Sequence, residues 1–351
     1  MKVLTVIGAR PQFIKAAPLS KALAAIGIEE VLLHTGQHFD ANMSQDFFEE
    51  LGIPKPQYQL NISGLSHAAM TGRMMEAIEE VLQKEQPQMV IVFGDTNSTL
   101  AGALAAKKIG IPVAHIEAGM RSNLEYQVEE INRVLSDRIS NLLFVSSPSA
   151  KANLKAEGYA EERIIESGDI MLDLFNEQAP QLGAPKIADL PARFALLTLH
   201  RQENVDDPKI LKAWIEALNK LSEEIALVIP LHPRTKSKLA ALDLKLKAHF
   251  IEPCAHNEIL GLIKASSIVV TDSGGLQKEA YFCQKPCLTL REATEWVELV
   301  DAGLNKLCHP DNLVEHYKEL IQKDLSYPSF YGNGQAAAII ARSIYDYLSA
   351  S

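Results

Sequence analysis

The reading that decides the fold starts at Met89–Ala118, MVIVFGDTNSTLAGALAAKKIGIPVAHIEA. Met89–Phe93 is a short, wholly apolar run rich in β-branched residues, as a strand buried on both faces requires. Thr99–Lys108 carries helical periodicity, and Val113–Glu117 is a second short apolar run. Strand, helix and strand within thirty-odd residues make a βαβ unit with parallel strands. The same alternation extends outward. Upstream, Val3–Ile7 and Glu30–His34 read as strands, with helices at Phe13–Ala25 and Ala69–Lys84; downstream, the helix Glu129–Ser140 leads into the strand Leu142–Val145. The pattern stalls at Asn176–Arg193, NEQAPQLGAPKIADLPAR, where three prolines and no strand mark a linker. It restarts with Ala195–Leu199, Ala226–Leu231, His249–Glu252, Ile268–Thr271 and Cys287–Leu290. The expected architecture is α/β, with two Rossmann-like doubly wound domains facing a cleft. At 351 residues the chain exceeds one ordinary core, which agrees with two domains.

Composition narrows the function. With 47% hydrophobic and 22% charged residues and a formal net charge of −10, the chain does not read as a binder of nucleic acid or of anionic membranes. Any phosphate site must be a local pocket. MKVLTVIGARPQ lacks a secretory pattern and no uncharged run reaches membrane-helix length, so a cytoplasmic location is expected. Cys254, Cys283, Cys287 and Cys308 form no CxxC pair, and buried free thiols are the expectation.

Chemistry-bearing residues gather at strand ends. Gly8-Ala9-Arg10-Pro11-Gln12 joins the first strand to a helix; Gly8 permits a tight turn and Pro11 suits the first helical position. Arg10 therefore lies beside a helix N-terminus, where an anion is favoured, although a plain salt bridge would also suit it. No GxGxxG is present, which argues against a nicotinamide or flavin. In the second half, Asp272-Ser273-Gly274-Gly275 opens a helix after a strand, and small residues with free N–H groups there make a diphosphate nest. A simple N-cap by Ser273 is the plainer alternative. Glu279, one helical turn on, is placed to accept from a ribose diol. Asp95 follows one strand, His115 and Glu117 end the next, and Glu129 and Arg133 open the following helix. His200-Arg201 and His232-Pro233-Arg234 end two strands of the second half. Individually these are unremarkable, since Asp95 could cap a helix and His115 could be a satisfied core histidine. Together they suggest a proton-transfer site opposite a cation-lined nucleotide site. Metal-ligand spacings such as HExxH, a DxD-type pair and a GxSxG elbow are all missing, so neither metal nor cofactor is expected.

These residues resemble the non-hydrolysing UDP-N-acetylglucosamine 2-epimerase family, whose fold is like that of GT-B glycosyltransferases. The resemblance runs from GARPQFIKAAP (8–18) through HTGQHFDANMS (34–44), GDTNSTLAGALAA (94–106), HIEAGMRS (115–122), VEEINR (128–133), LHRQEN (199–204), PLHPRT (230–235) and TDSGGLQKEA (271–280) to YGNGQA (331–336). It implies proton transfer at sugar carbon 2 by Asp95, Glu117 and Glu129, with His200 at the diphosphate as stabiliser or proton donor. It implies UDP contacts from Arg10, His232, Ser273, Gly274, Gly275 and Glu279, with Lys15, Arg133 and Arg291 as further charged groups of the substrate site. It also implies a homodimer, and a C-terminal helix that returns to the first domain, giving domains 1–169 with 336–351 and 170–335. The family resemblance implies interconversion of UDP-N-acetylglucosamine and UDP-N-acetylmannosamine. The same chemistry on UDP-2,3-diacetamido-glucuronic acid is the alternative, since GARPQFIKA, HTGQHFDANMS, LGIPKPQYQL (51–60) and TEWVELV (294–300) look closest to a branch acting on that sugar. Trp296 stands where many relatives differ, which suggests either a cleft altered for a larger sugar or simple core packing.

The chemistry agrees with this resemblance. No carbonyl neighbours C2–H of a 2-acetamido sugar, and general base catalysis contributes only about 10²–10⁴-fold. Expelling UDP from C1 as the C2 proton leaves, then re-adding it, avoids a carbanion. A glycosyltransferase using a UDP-sugar would not need three clustered carboxylates, and a UDP-sugar sensor would not keep them.

Overall fold

The structure, a computed structural model, describes residues 1–37, 55–122, 124–181, 183, 185, 187, 189–231 and 233–350. The chain divides into two compact units, Met1–Glu177 with Ser329–Ser351, and Gln178–Pro328. In the first, β1 (Lys2–Ile7), β2 (Glu29–His34), β3 (Tyr58–Gln59), β4 (Met89–Phe93), β5 (Val113–Ile116), β6 (Leu142–Val145) and β7 (Ile164–Glu166) form a sheet of order β3-β2-β1-β4-β5-β6-β7. All its pairings are parallel, with Val3 opposite Glu30 on one side and Met89 on the other. Strand order reverses between β1 and β4, the kind of point where doubly wound sheets bind ligands.

Helices cover both faces, which is why every residue of β4 is buried. Val3, Ile7, Ile91 and Phe93 pack with Phe13, Leu19 and Leu23 on one side, while Leu4, Val6, Val90 and Val92 pack with Met74, Ile78 and Leu82 on the other. The first face is completed by Ile340 and Ile344 of the C-terminal helix Ala336–Ala350. Truncating either isoleucine to Ala should cost about 2–5 kcal/mol. The unit's limits differ from the expected 169 and 335. Ile170 and Leu174 of the helix Ile170–Gln178 enter the first core, and Asp173 of that helix accepts from Ala336 N (3.0 Å) and Ala337 N (2.7 Å). Segments 170–177 and 329–335 thus belong with the first unit.

The second unit repeats the topology. Its strands β8 (Phe194–Thr198), β9 (Ala226–Pro230), β10 (His249–Ile251), β11 (Ile268–Thr271), β12 (Cys287–Thr289) and β13 (Asn305–Leu307) lie parallel in the order β10-β9-β8-β11-β12-β13. The reversal now falls between β8 and β11. One face is packed by Trp214, Leu218 and Leu221 with Tyr317 and Leu320. The helix Pro208–Leu221 starts firmly, because Asp207 accepts from Lys209 N (2.7 Å) and Ile210 N (3.3 Å) and Pro208 occupies its first turn. Among the described residues no helix is long and apolar enough to cross a membrane.

Candidate active site

The first unit's reversal point is closely packed. A Cβ on Gly8 would collide with the hydroxyls of Ser98 and Thr35, so only glycine lets β1 leave the sheet there. Gln12, buried behind the turn, accepts from Gly8 N (2.8 Å) and Ala9 N (3.0 Å) and donates to the Phe93 carbonyl (2.7 Å) and the Thr96 hydroxyl (3.0 Å). One amide therefore ties the loop after β1 to the loop after β4. Arg10 opens the adjoining helix, as expected.

Asp95 lies in that second loop, just past Gly94, whose φ is +62°. Its Oδ2 accepts from Arg133 Nη2 at 2.6 Å, and Asn132 Nδ2 donates to its carbonyl at 2.9 Å. Desolvation pushes the Asp95 carboxyl above the usual range against the attraction of Arg133 and Lys15; Glu117 and Glu129 push it further. Its side chain retains 31% exposure, enough to meet a ligand. Glu117 follows β5 with φ +70°, a left-handed conformation that a non-glycine residue holds only where its surroundings enforce it. Its carboxylate pairs with Lys15, and a Cβ on Gly94 would stand 3.4 Å from Glu117 Oε2 and 3.9 Å from Lys15 Nζ. Asp95, Glu117, Lys15 and Arg133 therefore converge.

Glu129 and Glu130 both lie in the first turn of the helix Val128–Ile139, but only Glu129 is exposed. Glu130 accepts from Ser122 N, Ser122 Oγ and Arg133 Nη1, each at 2.9 Å. Burial raises its carboxyl, but these bonds hold it below the usual range. Glu130 thus orients Arg133 toward Asp95. His115 is wholly buried, between Asp137 Oδ1 and the Gly94 carbonyl, each 2.7 Å away. Asp137 Oδ2 accepts from Gly119 N (3.1 Å) and Arg121 Nη1 (2.7 Å). This pair braces both turns that carry the acids, and His115 belongs to the core.

In the second unit, Ser273 caps the helix Gly274–Phe282, and its N–H donates to the Thr271 hydroxyl at 2.9 Å. A Cβ on Gly274 would lie 3.9 Å from Arg201 Nη2, Arg291 Nη1 and Trp296 Nε1 alike. Two guanidiniums therefore flank the backbone nest, Arg291 being held by Glu295 at 3.1 and 3.3 Å. Trp296 is only 7% exposed; its indole N–H donates to the Gly274 carbonyl (3.0 Å) and Lys278 Nζ lies over its ring. It supports the nest from behind. Glu279 Oε1 meets His256 Nε2 at 3.0 Å, while its Oε2 is buried with no hydrogen-bond partner among the described residues, a costly state unless a ligand donates to it. His200 follows β8 and stands 3.1 Å, Nδ1 to Oδ1, from the buried Asp272. His232 and residues 38–44 of the HTGQHFDANMS stretch lie outside the described residues. Among the described residues no group of three or more His, Cys, Asp or Glu is arranged to hold a metal ion.

Sequence reasoning gave Gln12, Glu130 and Asp272 no part in these clusters. Each sits inside a stretch already singled out, and its position next to a candidate residue was the available signal.

The sequence model of UDP-N-acetylglucosamine 2-epimerase matches residues 21–345. The chain is 50% identical over 348 residues to the UDP-2,3-diacetamido-2,3-dideoxy-D-glucuronate 2-epimerase of Pseudomonas aeruginosa, covering 97% of this chain and 98% of that protein. It is 40% identical over 361 residues to the UDP-N-acetylglucosamine 2-epimerase of Methanocaldococcus jannaschii, again covering 97% and 98%. The crystal structure of the M. jannaschii UDP-GlcNAc 2-epimerase in complex with UDP-GlcNAc and UDP superposes with a TM-score of 0.90 at 39% identity, covering 99% of this chain and 100% of that one. An isomerase with two doubly wound, GT-B-like halves, the chain belongs to the UDP-N-acetylglucosamine 2-epimerase family.

Proposed function

We propose that this enzyme inverts C2 of a UDP-2-acetamido sugar by eliminating and re-adding UDP, and that its sugar is 2,3-diacetamido-2,3-dideoxy-glucuronate. The observation that carries the reaction is the convergence of Asp95, Glu117, Lys15 and Arg133, with burial raising the Asp95 carboxyl above the usual range. A carboxyl poised this way can take a proton and return it. As the C2–H bond breaks, its electron pair forms the C1=C2 double bond. The C1–O pair leaves with UDP, and the proton passes to one carboxylate of the set Asp95, Glu117 and Glu129. Protonation of the opposite face of C2 and return of UDP to C1 complete the inversion. The nest at Ser273–Gly275, flanked by Arg201 and Arg291, takes up the charge that builds on the diphosphate. Glu279 Oε2 accepts from the ribose, and Arg10 and His232 complete the UDP contacts. The choice of sugar is supported by 50% identity to the diacetamido-glucuronate enzyme against 40% to the UDP-N-acetylglucosamine enzyme. The same reading carries a homodimer in the cytoplasm, which light scattering and fractionation test.

Incubation of the enzyme with each UDP-sugar alone in deuterated water tests the proposal. Expected are deuterium at C2 of the epimer, scrambling of an oxygen label between bridging and non-bridging positions of UDP, and preference for the diacetamido uronate. Deuterium without scrambling would overturn the elimination. Equal turnover of UDP-N-acetylglucosamine would overturn the sugar assignment and leave the reaction standing.

A further inference from the structure

We infer that His256 is the positioning residue of Glu279: its ring N–H holds one carboxylate oxygen, which leaves the other for a hydroxyl of the nucleotide's ribose. The inference rests on the reading of Glu279 as the ribose acceptor. Glu279 lies in the helix Gly274–Phe282, four residues beyond Gly275 and so on the same face as the end of the nest. His256 is the first residue of the helix His256–Ala265, which packs against it. The start of that helix is closed by Glu258, whose Oε2 accepts from Ala255 N at 2.9 Å. His256 is therefore not needed as a cap.

The two oxygens of Glu279 are used unequally. Oε1 meets His256 Nε2 at 3.0 Å. Oε2 is buried and has no hydrogen-bond partner among the described residues, in a residue only 7% exposed. Gln277, wholly buried and two residues earlier on the same helix, shows the contrast. Its Nε2 donates to the Ser273 carbonyl (3.3 Å) and its Oε1 accepts from the Thr294 hydroxyl (2.8 Å). A buried polar side chain that serves only the fold is bonded at both ends, as Gln277 is. Glu279 is bonded at one, and a buried carboxylate oxygen of this kind suits a ligand that brings an O–H donor.

The far side of the imidazole decides where its hydrogen sits. His256 Nδ1 is buried with no hydrogen-bond partner among the described residues, so an N–H there would lie without an acceptor. Nε2 faces a carboxylate, which only accepts. The hydrogen therefore belongs on Nε2, donated to Glu279. That bond fixes the rotation of the carboxylate and engages Oε1, so Oε2 is the oxygen presented to a ribose hydroxyl. Without the ring N–H, Glu279 would keep its charge and its place on the helix but lose this constraint on its rotamer.

Calorimetric binding of UDP and of 2′,3′-dideoxy-UDP to the full-length enzyme tests the assignment. The parent should bind UDP about 10–100-fold more tightly, the worth of a hydrogen bond to a charged group. Glu279→Ala should shrink that preference to less than about threefold. His256→Phe, which keeps a ring and removes the N–H, should do the same, while its affinity for the dideoxy ligand stays within about threefold of the parent's. His256→Gln, whose amide N–H reaches the position of Nε2, should keep a preference of about fivefold or more. A full preference in His256→Phe overturns the assignment and leaves the ribose reading standing. Equal weakening of both ligands overturns it as well, since His256 would then serve packing alone. Equal binding of the two ligands by the parent removes the ribose reading, and the assignment with it. ¹⁵N NMR of histidine-labelled parent enzyme, with His256→Gln identifying the resonance, decides the matter should His256→Phe fail to fold. The hydrogen is expected on Nε2, and a ring protonated on Nδ1 alone overturns the proposal.

Discussion

At both reversal points, a single buried side chain pins the loop leaving the central strand. In the first unit it is Gln12, which accepts from Gly8 N and Ala9 N and donates to the Phe93 carbonyl. In the second it is Asp272, which accepts from His200 N and Arg201 N and donates nothing. The pins match in place and differ in charge, and the charge follows the surroundings. Gln12 stands between donors and acceptors beside a set of carboxylates, so it must donate as well as accept, and a further anion would raise Asp95 more. Asp272 faces only donors, so an anion is satisfied there. On the function proposed above, the same topology would serve proton chemistry or phosphate binding according to the polarity of the side chain buried behind the loop.

The largest effect is expected at Asp95. Asp95→Asn should lower turnover about 10²–10⁴-fold while leaving UDP affinity near that of the parent enzyme. Its carboxyl is raised in the fold, so ionising it costs stability that the folded protein has at low pH and loses as pH rises through the folded-state value. The neutral variant should therefore melt no lower than the parent at pH 8, even as turnover collapses. Near-normal turnover would move the proton chemistry to Glu117 or Glu129, and the two halves would no longer divide as argued.

Next comes Gln12. Gln12→Ala takes the acceptor from the buried Gly8 and Ala9 N–H groups, while the Phe93 carbonyl keeps the Thr99 hydroxyl, and should destabilise the protein by about 2–4 kcal/mol in denaturant titrations. A loss below about 0.5 kcal/mol would mean that the loops after β1 and β4 are held by packing, and that Gln12 and Asp272 are not counterparts.

A third effect appears in acid. Burial raises the Asp137 carboxyl, but His115 and then Arg121 hold it below the usual carboxylate range. Stability from this group is present above its unfolded value of about 4 and is lost as pH falls through the lower folded value. Denaturant midpoints should drop below pH 4, and more weakly in Asp137→Asn, which starts from lower stability at pH 7. Equal slopes in the two proteins would remove Asp137 from the bracing of the acid turns.

The smallest effect is expected at Ser273. Its hydroxyl accepts from Leu276 N at 3.5 Å, a long bond, and Ser273→Ala should cost about 0.5–2 kcal/mol, seen as a several-fold weaker UDP affinity with saturated turnover nearly unchanged. A drop in turnover without a change in UDP affinity would place the nest in the chemical step instead.

Much of this protein was legible in its sequence because burial pattern is local. Met89–Phe93 is apolar without interruption because helices cover both faces of its strand, and the alternation of such runs with helix-length stretches specifies parallel sheets whatever follows. The placement of the motif residues at strand ends was legible too, since the apolar runs that precede them mark where each strand stops. The edge strands β3, β7 and β13 escaped notice, being two or three residues long and too short for any periodicity. What only the tertiary structure decided is which groups meet. Lys15 finds Glu117 and Arg133 finds Asp95 because β1, β4 and β5 are neighbours and the helix Val128–Ile139 follows β5. That helix's rotation buries Glu130 and exposes Glu129, two acids that composition cannot tell apart. Glu117's left-handed backbone and the burial of Trp296 against Gly274 follow from contacts tens of residues away in sequence. Periodicity reports how one segment faces its core, whereas strand order sets the distances between charges, and those distances decide which carboxylate is neutralised and which is poised to move a proton.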